Sequence, residues 1–310
     1  MTAGDHQPRV VALGGGYGLS TSLRAIRRYA HDITGIVSVA DDGGSSGRLR
    51  RAFGIPAPGD LRRCLVALAE PDSPWAEAFE HRFAASELEG HPLGNILIAG
   101  LAEATGDFGE AIRLALRLLG GVGQVIPATK EPVALKATWE REQRGVSTVG
   151  EVEGEHRVGL TAGITGVSVV PPDPEVPAEA IAALAAADQI VIGPGSLYTS
   201  ILAVVAVPGI REAIAASSAQ RVYVANLAEQ HPETTGYDVA AHVAALQAHG
   251  VEIDVVVHDP DCLTLGDLGA CSAASVLCAP IARANHHAHD VESLADALVS
   301  AFTRAAASPA

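Results

Sequence analysis

Basic side chains are scarce in this 310-residue chain. Lys and Arg total 21 against 36 Asp and Glu, a formal charge of -15 at neutral pH, and only Lys130 and Lys136 are lysines. An acidic excess of that size repels nucleic acid and anionic lipid, so polyanionic partners are not expected. Aromatics are scarce too, at 4%. The interior must therefore be filled by Ala, Val, Leu and Ile, which suits a sheet covered by helices. The four cysteines, at 64, 262, 271 and 278, form no C-x-x-C pair and no zinc spacing, and read as reduced, buried small hydrophobes. Long apolar runs are missing: a stretch such as 201–210 is about half of what a membrane-spanning helix needs, so no membrane insertion is expected. Met1 to Val10 carries Asp5 and Pro8 and no basic segment leading into an apolar one. No export signal is read there, and a cytoplasmic location is expected.

What is present is alternation. Short β-branched runs bounded by turn residues predict strands over 9–13, 33–39, 189–192, 221–225, 253–257 and 275–279. Helical periodicity predicts helices over 19–29, 60–70, 93–104, 108–119, 178–186, 197–204, 239–249 and 291–306. Strand alternating with helix predicts an α/β fold, a doubly wound and mainly parallel sheet. A chain of this length buries about three quarters of its unfolded surface, enough for one domain over 1–310 without disulfide or metal support. Residues from about 123 to 170 break the pattern, and read as a small β-rich insertion with solvated hairpin tips at 140–144 and 151–157.

The chemistry is concentrated in glycine-rich loops. A buried strand runs into Gly14-Gly15-Gly16-Tyr17-Gly18 and then a helix, where bare amides and a helix N-terminus can cradle phosphate. Leu19 stands where a dinucleotide fingerprint needs its third glycine, which disfavours a nicotinamide oxidoreductase. After the second strand comes Asp41-Asp42-Gly43-Gly44-Ser45-Ser46-Gly47-Arg48. Its paired aspartates suit a ribose hydroxyl or a magnesium ion, and its Gly-Gly-Ser-Ser backbone suits an anion nest closed by Arg48. An Asp turn and a Ser cap would account for part of this pattern, but not for two acids, three glycines, two serines and an arginine together.

Asp60 follows Pro58-Gly59 at or near a helix cap, and His91 and Asn95 stand four apart, on one helical face if the helix begins early enough. A second cradle is Gly193-Pro194-Gly195-Ser196-Leu197-Tyr198-Thr199-Ser200, where Ser196 can cap a helix whose first turn presents free amides and the side chains of Tyr198 and Thr199. Asn226 opens a polar loop reaching Tyr237, through Gln230, His231, Glu233 and Thr234, that can complete the pocket. One helix terminus contributes only about 0.3–1 kcal/mol toward an anion, so a diphosphate needs several converging cradles and an arginine. Arg48, Arg50, Arg51, Arg62 and Arg63 cluster in one stretch. Screening over roughly 8 Å lets such local charges outweigh distant acids. The cluster His286, His287 and His289 lacks an acid or cysteine at ligand spacing, and metal binding is not expected there.

Taken together, these motifs resemble the YvcK family of CofD-like gluconeogenesis factors, over about residues 9–290. The resemblance implies a Rossmann-like CofD fold and binding of UDP-N-acetylglucosamine or a related UDP-sugar by the motif residues. It also implies a cytoplasmic role in cell shape and cell-wall synthesis during growth on gluconeogenic carbon sources, with no required cofactor and no established catalysis. A homodimer and a protein partner in cell-wall synthesis are compatible with it. Enzymatic relatives, the 2-phospho-L-lactate transferases of deazaflavin synthesis, resemble the first glycine loop and the aspartate pair. They supply the alternative expectation, a magnesium-dependent phosphotransferase acting on a nucleotide-linked substrate, with Asp41 or Asp42 on the metal. Tyr17 replaces a threonine common in the family and is expected to narrow the nucleotide pocket or stack on it. Ala288-His289-Asp290 replaces the family's frequent Arg-His-Asp. Loss of a guanidinium facing a diphosphate weakens binding by about 1.5–3 kcal/mol if nothing replaces it.

Overall fold

The structure, a computed structural model, describes residues 7–143, 145–270 and 275–307. The chain opens with β1 (Arg9–Gly14), α1 (Gly16–Ile26), β2 (Asp32–Val37), α2 (Gly44–Phe53), α3 (Pro58–Leu68), α4 (Pro74–Glu80), α5 (Leu93–Thr105), α6 (Phe108–Leu118) and β3 (Gln124–Pro127). A second segment comprises β4 (Ala134–Gln143), β5 (Val146–Glu153), α7 (Glu155–Gly159) and β6 (Ile164–Val170). Next come α8 (Ala178–Ala186), β7 (Gln189–Ile192), a π-helical turn (Leu197–Ile201) that runs into α9 (Leu202–Val205), α10 (Pro208–Ala216) and β8 (Gln220–Val224). The chain closes with α11 (Val239–Ala248), β9 (Val255–His258), β10 (Ser275–Cys278) and α12 (Val291–Ala307).

Seven strands form a parallel sheet in the order β10-β9-β8-β7-β1-β2-β3. Its central strands are apolar on both faces: every residue of β7, and all of β1 after Arg9, is buried. Continuous Val, Ile and Leu runs of this kind belong to a sheet covered on both sides by helices. One device recurs at the strand starts. The backbone N–H and the guanidinium of Arg9 both bind Asp188, ahead of neighbouring β7, and Arg221 binds Asp254, ahead of β9, through the same three donors. Exposed pairs of this sort contribute little energy, but the forked geometry pins the register.

With the three insertion strands set aside, chain order across the sheet reads 3-2-1-4-5-6-7, so the chain changes direction between β1 and β7. A doubly wound sheet opens its ligand crevice at that switch point, outside the carboxyl ends of the strands.

The insertion is shorter than the sequence suggests. Residues 124–127 form β3, parallel to β2 and buried after its first residue, so they close the main sheet. A short apolar strand following a helix cannot be told by composition from the start of a β-rich insertion. The antiparallel sheet proper is β5-β4-β6. The predicted hairpin tip at 151–157 also differs, because β5 continues to Glu153 and α7 begins at Glu155. Helices α2, α4 and α10 fall where none was predicted. They are short, and α2 carries two glycines and two serines that weaken its helical signal. Cys64 alone fulfils the expectation of a buried thiol; Cys262 is partly exposed, Cys278 is exposed, and Cys271 lies outside the described residues. Among the described residues no single helix is long and apolar enough to cross a membrane.

Candidate functional site

The glycine turns meet at the switch point. A Cβ on Gly18 would lie 2.0 Å from the Pro194 carbonyl oxygen, so the turn after β1 and the turn after β7 touch through backbone. A Cβ on Gly15 would lie 2.5 Å from Asp60 Oδ2, and one on Gly59 would lie 2.3 Å from Ser46 Oγ, which joins the starts of α1, α2 and α3. Residues 14–18, 41–48, 60 and 193–196 are therefore brought together at the switch point, where a doubly wound sheet has its crevice.

Of the helices at the site, α1 begins earlier than predicted and α2 was not predicted at all. Gly16 and Gly18 are already in α1, with Gly15 as its cap, and α2 begins at Gly44. Asp60 sits in the first turn of α3, accepting from the Gly16 N–H and from Arg63 Nη1 at 2.7 Å. Burial raises its pKa, the Asp41 charge adds to this, and Arg63 opposes it. The guanidinium of Arg63 stands 4.5 Å over the Tyr17 ring, which is 74% exposed. Tyr17 thus stacks on an arginine.

The acidic loop behaves differently from the expected nest. Asp41 Oδ1 accepts from the Gly43 N–H of its own turn, and Asp42 Oδ1 accepts from the His156 N–H of α7. Arg48 does not close the Gly-Gly-Ser-Ser backbone by a hydrogen bond but donates to the Glu89 carbonyl, because the turn after α4 brings that carbonyl within reach. Glu155 is the residue the sequence reading missed. One carboxylate oxygen each from Asp41, Asp42 and Glu155 lie within 4.8 Å of one another. Burial, then Asp41, Asp60, Asp42 and Glu233, push the Glu155 pKa up to about 8. Its one sequence signal is the preceding Gly154, whose φ of +103° and closeness to Asp42 both call for glycine. Three converging oxygens of this kind suit a hard divalent cation such as magnesium.

The second cradle is partly filled by the protein itself. Glu233 is 5% exposed, and its Oε1 accepts from the N–H groups of Tyr198 at 2.6 Å and Thr199 at 3.3 Å. Those first-turn amides, predicted free, already hold a carboxyl group, whose pKa burial raises and these hydrogen bonds oppose. Ser196 makes no capping bond; its Oγ accepts from Gln230. Leu197 is core, and the Tyr198 hydroxyl, predicted to face a ligand, bonds Ile164 O and Tyr237 and so ties the insertion to the main sheet. Gly195 and Asn226 satisfy each other through paired hydrogen bonds. Removing the Glu233 carboxylate, as in Glu233→Ala, leaves three buried donors unmatched, the N–H groups of Tyr198 and Thr199 and the Thr199 hydroxyl, and is expected to cost about 1–3 kcal/mol in chemical denaturation. Inorganic phosphate is expected to recover part of that loss.

His91 and Asn95 do come together, by a different route. α5 begins at Leu93, so His91 precedes the helix, yet His91 Nδ1 lies 2.8 Å from Ser45 Oγ and Asn95 Nδ2 donates to the same oxygen at 3.1 Å. Among the histidines near the C-terminus, His289 Nε2 bonds the Ala225 carbonyl and His286 Nδ1 faces Cys262 Sγ. A separate groove of about 870 Å³ runs along the edge strand β3 and α6, two strands from the switch point. The charges on its rim are paired internally, Arg113 with Glu110 and Glu179, and Lys130 with Glu175.

A parallel sheet whose order reverses between β1 and β7, with glycine turns converging on the reversal, defines a Rossmann-like α/β protein. The family model described as 2-phospho-L-lactate transferase CofD matches residues 10–297. The gluconeogenesis factor of Halalkalibacterium halodurans is 44% identical over 253 residues, 80% of this chain and 77% of that protein. A Nostoc protein assigned provisionally to the same class is 44% identical over 243 residues, 78% of this chain. This chain covers 52% of the Nostoc protein's length. A crystal structure of a UPF0052 family member from Bacillus halodurans superposes with a TM-score of 0.86 at 35% identity, covering 96% of this chain and all of that one. The chain belongs to the CofD family, in its YvcK-type gluconeogenesis factor branch.

Proposed function

We propose that the chain binds a nucleoside diphosphate-sugar, UDP-N-acetylglucosamine being the ligand to test, in the crevice between β1 and β7. The observation that carries this is the convergence there of two glycine turns, three helix starts and the acidic loop. An acidic pole of Asp41, Asp42 and Asp60, joined by Glu155 when it ionises, would repel a diphosphate. A divalent cation held by Asp41, Asp42 and Glu155 would bridge the two. In this reading the protein acts in the cytoplasm as a sensor, passing the level of a cell-wall precursor to a protein of cell-wall synthesis during growth on gluconeogenic carbon. The designation of its relatives as gluconeogenesis factors supports that role.

Calorimetry with UDP-N-acetylglucosamine, with and without magnesium, is the direct test. Binding is expected with magnesium, at least about tenfold weaker without it. Asp42→Ala and Ser196→Ala are each expected to weaken it by a similar factor. Absence of heat for any nucleotide sugar with magnesium present would remove the reading.

The Asp41, Asp42 and Glu155 cluster also favours a second reading, a CofD-type transferase whose magnesium neutralises charge on the transferring group. It predicts magnesium-dependent consumption of a nucleotide-linked substrate, and silence across a panel of such compounds eliminates it.

A further inference from the structure

We propose that Ser45 is a nucleophilic serine, activated by His91, that accepts a phosphorus-centred group from a diphosphate ester in the crevice. The choice of electrophile rests on the ligand reading above; the nucleophile does not.

The local sequence Gly43-Gly44-Ser45-Ser46-Gly47 has the form G-x-S-x-G and forms the cap and first turn of α2, after the loop that leaves β2. In a nucleophile elbow that pattern places serine on a tight strand-to-helix turn, with glycines where the turn closes on itself. Here β2 ends at Val37 and Ser45 is the second residue of α2, so the strand-to-helix turn is longer, and it is the glycine feature that is present. Gly44 has φ +46°, and a Cβ on Gly47 would lie 1.9 Å from the Asp42 carbonyl oxygen. The motif alone is weak; its weight comes from what the serine touches.

A serine placed here merely to cap α2 would turn its hydroxyl onto a first-turn amide. Instead Gly43 is the cap residue, and Ser45 Oγ lies 2.8 Å from His91 Nδ1, within the reach a base needs to take a hydroxyl proton. Asn95 Nδ2 holds the same oxygen in place at 3.1 Å. Ser45 and His91 are each 8% exposed and Asn95 2%, so the hydrogen-bonded group is largely shielded from water. Asn95 Oδ1 is buried without a partner, an acceptor left open beside the serine.

The surroundings suit phosphorus chemistry. The guanidiniums of Arg48 and Arg82 flank the turn before His91, donating to the carbonyls of Glu89 and Gly90. Neither has a carboxylate at ion-pair distance among the described residues. Their charge is free to act on the non-bridging oxygens of a bound phosphate, as guanidiniums do in phosphoryl transfer. Burial and these two cations lower the His91 pKa, which keeps the imidazole neutral and able to accept a proton.

In the reaction, Ser45 Oγ attacks the sugar-bearing phosphorus and its proton passes to His91 Nδ1. The Oγ–P bond forms while the bond from that phosphorus to the bridging oxygen breaks, and the nucleoside monophosphate leaves with the electron pair. Water then cleaves the serine ester, restores the hydroxyl and releases the sugar phosphate.

The test begins with the full-length protein and a fluorophosphonate probe, in which a nucleophilic serine displaces fluoride and forms the same kind of Oγ–P bond. Intact mass and peptide mapping are expected to find one adduct, on Ser45. Ser45→Ala should abolish it, and His91→Gln and His91→Ala should each slow it by at least about 100-fold with the thermal melt retained. Absence of label on the wild-type protein, or label on another residue, overturns the proposal without recourse to any variant. In a second arm, UDP-N-acetylglucosamine with magnesium is expected to yield UMP, and Ser45→Ala to bind it without releasing UMP. Calorimetric binding by the wild type without UMP release overturns the transfer step while leaving the binding reading intact. Labelled Ser45 with no binding removes the ligand reading and retains the nucleophile.

Discussion

Gly18→Ala is expected to destabilise the protein by about 3 kcal/mol or more, since the added methyl group must push apart two backbones that cannot repack around it. The new carbon would stand 2.0 Å from the Pro194 carbonyl oxygen, and the atom it meets belongs to the main chain of the turn after β7. The same substitution at Gly100, inside α5 with nothing within 4 Å, removes backbone freedom from the unfolded chain. It is expected to stabilise by about 0.4–1 kcal/mol. Urea denaturation of the pair therefore checks the architecture by sign as well as size. Equal midpoints for Gly18→Ala and the wild type would mean that the two turns are not in contact, and with that the single crevice would be lost. Nucleotide-sugar binding should fall with Gly18→Ala and survive Gly100→Ala.

Glu155→Gln is expected to have the second largest effect, and to show it increasingly as pH rises above about 4.5. The carboxyl titrates near 8 in the folded protein against an ordinary 4.5. Between those values the folded state holds a proton that the unfolded state has released, so this group's contribution is full below about 4.5 and is lost as pH rises through 8. A gap of that size has a ceiling of about 5 kcal/mol, which water at the crevice should cut to about 2–3. At pH 5 the variant and the wild type should unfold at similar denaturant concentrations. At pH 8.5 the variant should be the more stable. Magnesium should then stabilise the wild type and do little for Glu155→Gln, because the cation replaces the proton among Asp41, Asp42 and Glu155. A wild-type protein indifferent to both pH and magnesium would show that these carboxylates do not share one site.

Much of this was legible beforehand, for reasons visible in particular residues. Val10 to Leu13 and Gln189 to Ile192 read as buried strands because a parallel sheet covered on both faces admits little but apolar side chains. The glycines before α1 and at 193–195 stood out because few other residues permit such close backbone approach. Glu155 was not legible: it lies more than 100 residues from Asp42, in a segment that looks like a charged hairpin tip, and only the docking of α7 on Asp42 brings it in. Glu233 could be placed in a loop near the pocket, but that its carboxylate fills the first turn after Ser196 depends on the path of residues 226–237. The bond from His91 to Ser45 needed coordinates for the same reason, since it spans 46 residues.

Read alone, the amino-acid order determined the strand and helix alternation, the parallel sheet and the loops in which chemistry sits, because periodicity and glycine punctuation are local properties of the chain. Tertiary structure decided which loops share the crevice, which of their amides and carboxylates the protein has already paired, and how protons distribute among them. Those outcomes depend on distances between segments remote in sequence and on the burial that their packing creates, neither of which has a local signature.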